Sequence, residues 1–470
     1  MRRNVVWPWI LVLVGCGGGG GGGGGSSPAP IPAASVTLTA PATVRAGEKA
    51  TLSAKLLDAH GNAIPADRLP PIAFGSSDPS IATVDDKGHV DALRIGQVTF
   101  SAVASDVAAT VVVPVKSGWI KGALGTVYLF PTSIIGGARG PDTAEPWDTA
   151  DNTWWIRSFD SFAASRDTDL SLLRKNFGDH PRIQLYIYFP AWLADPTYND
   201  EYVDRLDQVV DWFFTHGIEP VIFFGRPEYQ APGFSADSAD VTYDPAATKY
   251  LLDNIDHTLG YGHIADDVYL VTVYYAGQQI PPNGRVRSSA EILAFNKAIA
   301  KTIHAHGMKF LVHVDQPFWD CAPTWATSFC GTPPSGETWW EHGYTPEDIA
   351  ASAGASDGLF AESRLQGSLL PGLHYLVTHK LFTPDQMLIL NDTWNCDLPN
   401  QPPCITGPTA VEQDDAKWFA GVKKIGIASW GVWDFTDGGA GEPNPDGDVK
   451  GDGSGLTHKG ELHATEATKW

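Results

Sequence analysis

The side chains best placed to do chemistry in this chain are carboxylates that close short apolar runs. Glu362 follows Leu359-Phe360-Ala361 directly, Asp315 follows the run ending His313-Val314, and Glu228 lies just past the run ending at Gly225. A carboxyl at the end of an apolar run is partly desolvated, which raises its pKa and suits it to hold a proton at neutral pH. A second carboxylate close by can attack or activate water. Together they meet the needs of acetal cleavage, in which one acid protonates the leaving oxygen while the other carboxylate supports the electron-poor carbon. On this chemistry Glu362 ranks first, Asp315 on the adjacent run is its partner, and Glu228 is third, with Arg226 nearby to hold it ionised. Aromatic, amide and charged residues stand at the ends of the same runs: Arg157, Asp160, Trp192, Tyr275, Gln278, Asp392, Trp394, Trp430, Trp433 and Asp434. Trp and Tyr present flat apolar faces with one polar atom, and the C–H patches of a sugar ring stack on such faces. Amides, carboxylates and Arg bind hydroxyls. The 17 tryptophans make stacking available even if half of them fill cores. The expected ligand is therefore a carbohydrate. The competing reading makes the carboxylates structural ion pairs, such as Glu362 with Arg364.

Other chemistries are disfavoured. There is no G-x-S-x-G elbow for a serine nucleophile and no H-E-x-x-H pair for zinc. His313 sits within an apolar run and reads as an interior histidine. Asp446, Asp448 and Asp452 suggest an oxygen-ligand loop, but their spacing misses the EF-hand pattern, and a solvated loop is the preferred reading. No cofactor is expected. A net charge of −22 argues against nucleic acid, which needs a basic surface, and against electrostatic docking to anionic lipid. Apart from Cys16, the cysteines form two close pairs, and an even number suggests disulfides in an exported protein. Of three possible pairings, Cys321–Cys330 with Cys396–Cys404 closes the shortest loops. A four-cysteine zinc site is the weaker alternative, because no C-x-x-C element is present.

The elements that must hold these residues alternate from about residue 117 to 470. Strand-like runs are read at Trp154–Phe159, Ile183–Phe189, Pro220–Gly225, Val268–Tyr275, Lys309–Val314, Gly358–Glu362, Met387–Asn391 and Ile425–Trp430. Helices lie between them. Asp200–His216 carries Val203, Leu206, Val209, Val210 and Phe213 at helical spacing, and Ser289–His306 and Val411–Lys423 behave likewise. Gly217 and Gly307 sit where C-caps belong. Eight strands with intervening helices predict an α/β fold, a (β/α)8 TIM barrel, whose chemistry lies at the C-terminal ends of the strands. A doubly wound sheet is the runner-up. A further strand candidate, Thr126–Phe130, is assigned to the connection between domains, which leaves the strand numbering open by one. In layout the region is similar to (β/α)8 glycoside hydrolases. That resemblance implies carboxylate acid/base hydrolysis of a glycan, with Trp430 and Trp433 as an aromatic floor. The largest clan of such enzymes places Asn-Glu after strand four and Glu after strand seven. Gly277-Gln278-Gln279 and Asn391-Asp392 stand there instead, so those assignments do not transfer. The same departure supports an alternative: a glycan-binding or structural protein on a barrel scaffold.

Residues 34–116 have a different rhythm. Short alternating runs such as Ser35-Val36-Thr37-Leu38-Thr39 and Gln97-Val98-Thr99-Phe100-Ser101 are separated by turns such as Gly61-Asn62 and Asp86-Lys87-Gly88, the pattern of a small β-sandwich. The stretch Gly75-Ser76-Ser77-Asp78-Pro79-Ser80-Ile81-Ala82-Thr83-Val84-Asp85, followed by Gly88-His89-Val90-Asp91-Ala92-Leu93, strongly resembles the bacterial Ig-like group 2 (BIG2) family. The resemblance implies an Ig-like sandwich serving as spacer or adhesion module, without catalytic residues.

The first residues complete the plan. Arg2 and Arg3 precede an apolar stretch, Val5 to Val14, too short to span a bilayer. It ends in Leu13-Val14-Gly15-Cys16, which resembles the lipobox of bacterial lipoprotein signal peptides. The resemblance implies cleavage of residues 1–15 and acylation of Cys16, with multiple acyl chains giving stable anchoring. Gly17 after the cysteine favours the outer membrane or cell surface over the inner membrane. Nine glycines and Ser-Ser-Pro-Ala-Pro follow and make residues 16–33 a flexible tether.

Overall fold

Alternation governs the first domain. The computed structural model describes residues 28–119, 125–130, 154–179, 181–187, 196–224, 245–273, 289–314, 350–351, 353–363, 366–391, 418–427, 429–432, 455–456 and 458–469. Nine strands occupy its first part: β1 (Ser35–Thr39), β2 (Val44–Arg45), β3 (Lys49–Thr51), β4 (Ser53–Leu57), β5 (Ile72–Ser76), β6 (Ala82–Val84), β7 (His89–Ala92), β8 (Gly96–Ala104) and β9 (Val107–Lys116). Val98, Phe100 and Ala102 alternate inward along β8 and are fully buried, whereas the residues between them are partly exposed. Sheets β2-β9-β8-β5 and β3-β7-β6 enclose Val44, Leu52, Val90, Phe100, Val113 and Val115, and β1 pairs with β4. The quoted motif acts locally. Ser76 Oγ donates to Ala82 O at 2.6 Å, and Asp78 accepts from the Ser80 N–H at 3.0 Å. Asp85 accepts from the N–H groups of Lys87 and His89, closing the turn into β7. Gly88 completes this turn at φ +82°, where a Cβ would lie 2.8 Å from Leu52 O.

The second part is a closed sheet of eight strands: β10 (Gly125–Phe130), β11 (Arg182–Ile187), β12 (Glu219–Phe224), β13 (Leu270–Val273), β14 (Lys309–Val314), β15 (Gly358–Ser363), β16 (Met387–Asn391) and β17 (Trp430–Val432). Neighbours in sequence pair in parallel, and β10 pairs with β17 to close the ring. All strand starts therefore share one end of the barrel and all strand finishes the other. Val221, Phe223, Leu270, Leu311, Phe360 and Leu388 cluster as one core. The intervening strand residues join a larger cluster with the helices, as a parallel sheet covered on its outer face requires. Those helices include α1 (Trp154–Phe177), α2 (Pro196–Thr215), α3 (Pro245–Leu259), α4 (Ile264–Asp267), α5 (Ser289–Ala305), α6 (Gln366–Thr378) and α7 (His458–Ala467). Tyr202, Leu206, Val209, Val210 and Phe213 form the buried stripe of α2. Gly217 and Gly307 follow their helices at φ +78° and +73°, as their placement after the periodic runs predicts.

Two expected strands are corrected. Trp154–Phe159, read as the first barrel strand, is the opening of α1. Phe159, Phe162, Leu170, Leu173 and Phe177 are buried at helical spacing over 24 residues, and a six-residue window cannot separate that from a buried strand. The first strand is instead β10, which contains Thr126–Phe130. The last strand does not end at Trp430 but begins there. Residues 418–425 are helical, and Gly426, at φ +90°, ends that helix. The other six expected strands coincide with observed ones to within two residues at every described end.

Candidate functional site

The candidate site is the end of the barrel where the strands finish. It stands on rings. His313 on β14, Phe223 on β12 and Phe360 on β15 are fully buried, with centroids 5.4 Å apart for His313–Phe223, 5.1 Å for His313–Phe360 and 5.0 Å for Phe223–Phe360. His313 is thus an interior histidine, as its run suggested. Thr272 on β13 donates to Leu311 O at 2.9 Å, so this polar side chain in the barrel wall is used to tie two strands together. Gln184 on β11 is fully buried as well, and its presence there is not legible from its polar type.

Above the rings, His313 pairs in register with Phe360, and Val314 with Ala361. Glu362 is the next residue of β15 and pairs with Leu390. Ser363 pairs with Asn391, the last residue of β16. Glu362 therefore lies at a strand finish, as expected. Asp315 is the residue after Val314 and lies outside the described residues, as do Glu228, Trp192, Tyr275, Gln278, Asp392, Trp394, Trp433 and Asp434. The same holds for Cys16, Cys321, Cys330, Cys396, Cys404 and the Asp446–Asp452 loop.

Three expected site residues stand elsewhere. Arg157 and Asp160 belong to α1, not to a strand finish. Asp160 is exposed and meets Arg205 of α2 at 3.4 Å. Trp430 is fully buried. Its ring lies 4.8 Å from Phe419, 5.9 Å from His463, 6.0 Å from Trp418 and 6.1 Å from Phe177. It pairs with Ile389, a member of the same helix-facing cluster. Alternation along the strand turns it toward the helices, so it cannot be a floor for sugars.

The opposite end is occupied by charge. Arg182, at the start of β11, donates to Glu219, at the start of β12, at 2.9 Å, and both side chains are 3% exposed. Ser117 Oγ donates to the other oxygen of Glu219 at 3.3 Å. Asp357, just before β15, accepts from the Phe310 N–H at 3.0 Å and from Lys309 at 2.9 Å, and it meets His304 at 2.7 Å. Burial pushes the Asp357 carboxyl up, but these three partners outweigh it and hold the carboxyl below the usual carboxylate range. Asp267, at the end of α4, has the opposite balance. Burial, with Asp211 nearby, pushes it up to about 7. Among the described residues no group of three or more His, Cys, Asp or Glu could hold a metal, and no helix is long and apolar enough to cross a membrane.

Residues 32–115 match the family model of the bacterial Ig-like domain (group 2). The N-terminal part is therefore an Ig-like domain, as its motif predicted. No curated protein matches the chain in sequence. Among solved structures, the chain is similar to an exo-β-1,4-mannosidase from Opitutaceae bacterium strain TAV5, at 12% identity and TM-score 0.48, over 74% of this chain and 59% of that one. It is also similar to a β-glucosidase from Exiguobacterium marinum, at 11% identity and TM-score 0.47, over 74% and 98%. A third is a β-glucuronidase from Bifidobacterium dentium, at 11% identity and TM-score 0.43, over 94% and 67%. The chain spans less than two thirds of the mannosidase's length. At such identities the likeness concerns the shape of the chain and leaves the chemistry to its own residues.

Proposed function

We propose that residues 117–470 form a complete (β/α)8 barrel acting as a glycoside hydrolase on a poly- or oligosaccharide, anchored at the cell surface through lipid on Cys16. The observation that carries this reading is the register of β14 and β15. Val314 pairs with Ala361, and the next residue in sequence after each is an acid, Asp315 and Glu362. In this reading the ladder runs one residue further, which sets the two acids side by side at the strand finishes. Neighbouring strands are about 5 Å apart, close to the roughly 5–5.5 Å between carboxyls in enzymes that retain anomeric configuration. Two acids at that spacing do not ionise independently, which raises the pKa of one of them and favours its holding a proton. Glu362 then protonates the leaving oxygen as Asp315 displaces it at the anomeric carbon, and the ionised Glu362 takes a proton from the water that hydrolyses the resulting glycosyl ester, which restores both acids. Glu228, Trp192, Tyr275, Gln278, Asp392, Trp394, Trp433 and Asp434 are the proposed contacts to the sugar.

The test is Glu362→Gln, assayed with aryl glycosides and a panel of polysaccharides. Loss of an acid/base catalyst is expected to lower kcat by about 10²–10⁴-fold, with melting temperature and glycan binding retained. Undiminished turnover would remove Glu362 from the mechanism. A wild-type chain that is retained on a glycan column but turns over none of the panel would favour the binding protein instead. For the anchor, Cys16→Ser should abolish incorporation of labelled palmitate, and labelling that persists in the variant would refute it.

A further inference from the structure

The Ig-like domain and the barrel are not separated by a free linker. Ser117, the residue after β9, is fully buried. Its carbonyl accepts from Arg45 Nη1 at 2.9 Å, and its hydroxyl donates to Glu219. At Gly118 a Cβ would lie 2.1 Å from Ala46 O, so only glycine permits this approach of the backbone to the domain it has just left. Trp119 then enters the barrel's starting end. Its Nε1 donates to Asp385 O at 2.6 Å, and its ring packs against the core cluster of Val221, Phe223, Leu270, Leu311, Phe360 and Leu388. The ring tip lies so near Gly358 that a Cβ there would be 2.7 Å from it.

Side chains of the Ig-like domain continue the contact around the rim. Arg45 lies over the ring of Tyr269, 4.7 Å from its centroid, a geometry that attracts the cation to the ring face. Lys116 meets Asp266 at 2.6 Å. Arg94 is half-buried, attracted by Glu219 and repelled by Arg182. From the barrel side, Phe214 of α2 packs against the Ig-like core. The Arg182–Glu219 pair lies beneath this contact, and the attraction of a buried ion pair repays its desolvation only where further hydrogen bonds, such as that from Ser117, satisfy its remaining polar atoms.

We infer that the Ig-like domain is the floor of the barrel rather than a swinging spacer, and that the two parts form one cooperative rigid unit. The inference does not depend on hydrolysis. Its consequence is orientation. The Ig-like domain seals the end where the strands start, so the end where they finish faces away from that domain and from Ile31 and Ala33, which pack against Leu56, Ala104 and Val107 within it.

The experiment uses the whole chain. Calorimetry of the wild type should show one unfolding transition, and hydrogen exchange at the starts of β11 and β12 should be as slow as at β8. The exposed-side variant Lys116→Glu reverses a rim charge without touching either core. It should raise exchange at Arg182–Gln184 and Glu219–Val221 by about tenfold while leaving β8 unchanged. Trp119→Ala should do the same more strongly and split the transition in two. Two independent transitions in the wild type, or exchange at β11 and β12 unmoved by both variants, would overturn the inference.

Discussion

Two turn carboxylates of the Ig-like domain and three that tie barrel elements together do different jobs. Asp58 accepts from the N–H groups of His60 and Asn62, at 2.8 and 2.9 Å, and Asp85 accepts from Lys87 and His89. Each shapes a turn within four residues of itself, and the backbone bonds hold both carboxyls below the usual range. At three buried or half-buried barrel carboxylates the partners are far away in sequence. Glu219 meets Arg182 across 37 residues, Asp357 takes the Phe310 N–H across 47, and Asp207 takes the Ile264 N–H across 57. A carboxylate that shapes a turn stays in water and can be replaced by other turn residues. One that ties two barrel elements together gives up its water, and removing it strands the partner. The contrast also narrows the search for catalysis. Glu219 and Asp357 are committed to the barrel's starting end, so the proposed chemistry rests on the acids that follow Val314 and Ala361.

The largest effect that this contrast predicts comes from Glu219→Ala. It leaves Arg182 buried without its anion, and losing one member of a buried pair is expected to cost about 3–5 kcal/mol. Denaturant unfolding measures it, and a loss no greater than that of a surface substitution, about 0.5 kcal/mol, would show that the pair is not sealed. Asp267→Asn should act with the opposite sign. The folded carboxyl is pushed up to about 7 from an ordinary 3.8, so the folded state holds its proton more tightly than the unfolded one. That contribution is full below pH 4 and is lost as pH rises toward 7. The variant should therefore be more stable than wild type at pH 8, by about 1–2 kcal/mol after allowance for solvent screening, and no more stable at pH 4. An equal difference at both pH values would break the assignment. The smallest effect belongs to Asp85→Ala. It should shift unfolding slightly and raise hydrogen exchange only around Lys87–His89, and exchange that rises in the barrel strands would show that this turn is not local.

The legible parts of the chain are those with local causes. The Ig-like motif could be read because Ser76, Asp78, Asp85 and Gly88 act on neighbours in the chain. The barrel strands from β11 to β16 were legible as apolar runs of strand length, and the helices as buried stripes ended by Gly217 and Gly307. The first strand was missed because Trp154–Phe159 and Gly125–Phe130 are both short and apolar. Only the continuation of one of them into Phe162, Leu170 and Phe177 identifies it as a helix. Trp430 was misread for a related reason. Its type suits a sugar platform, but side alternates at every residue of a strand, so an end placed a few residues early left its face undetermined. Glu362 was legible because its position at a strand finish depends only on the run before it.

By itself the sequence determined the two-part plan, the Ig-like domain, the alternation of strands and helices, and the acids that follow Val314 and Ala361. All of these follow from periodicity and turn chemistry within a few residues. Only the tertiary structure decided that β10 closes the ring with β17, that Trp430 turns to the helices, that Arg182 is spent on Glu219, and that Trp119 reaches into the barrel from below. Those outcomes depend on which distant segments share a register or an interior, and a buried charge or ring takes its role from whatever the fold brings against it.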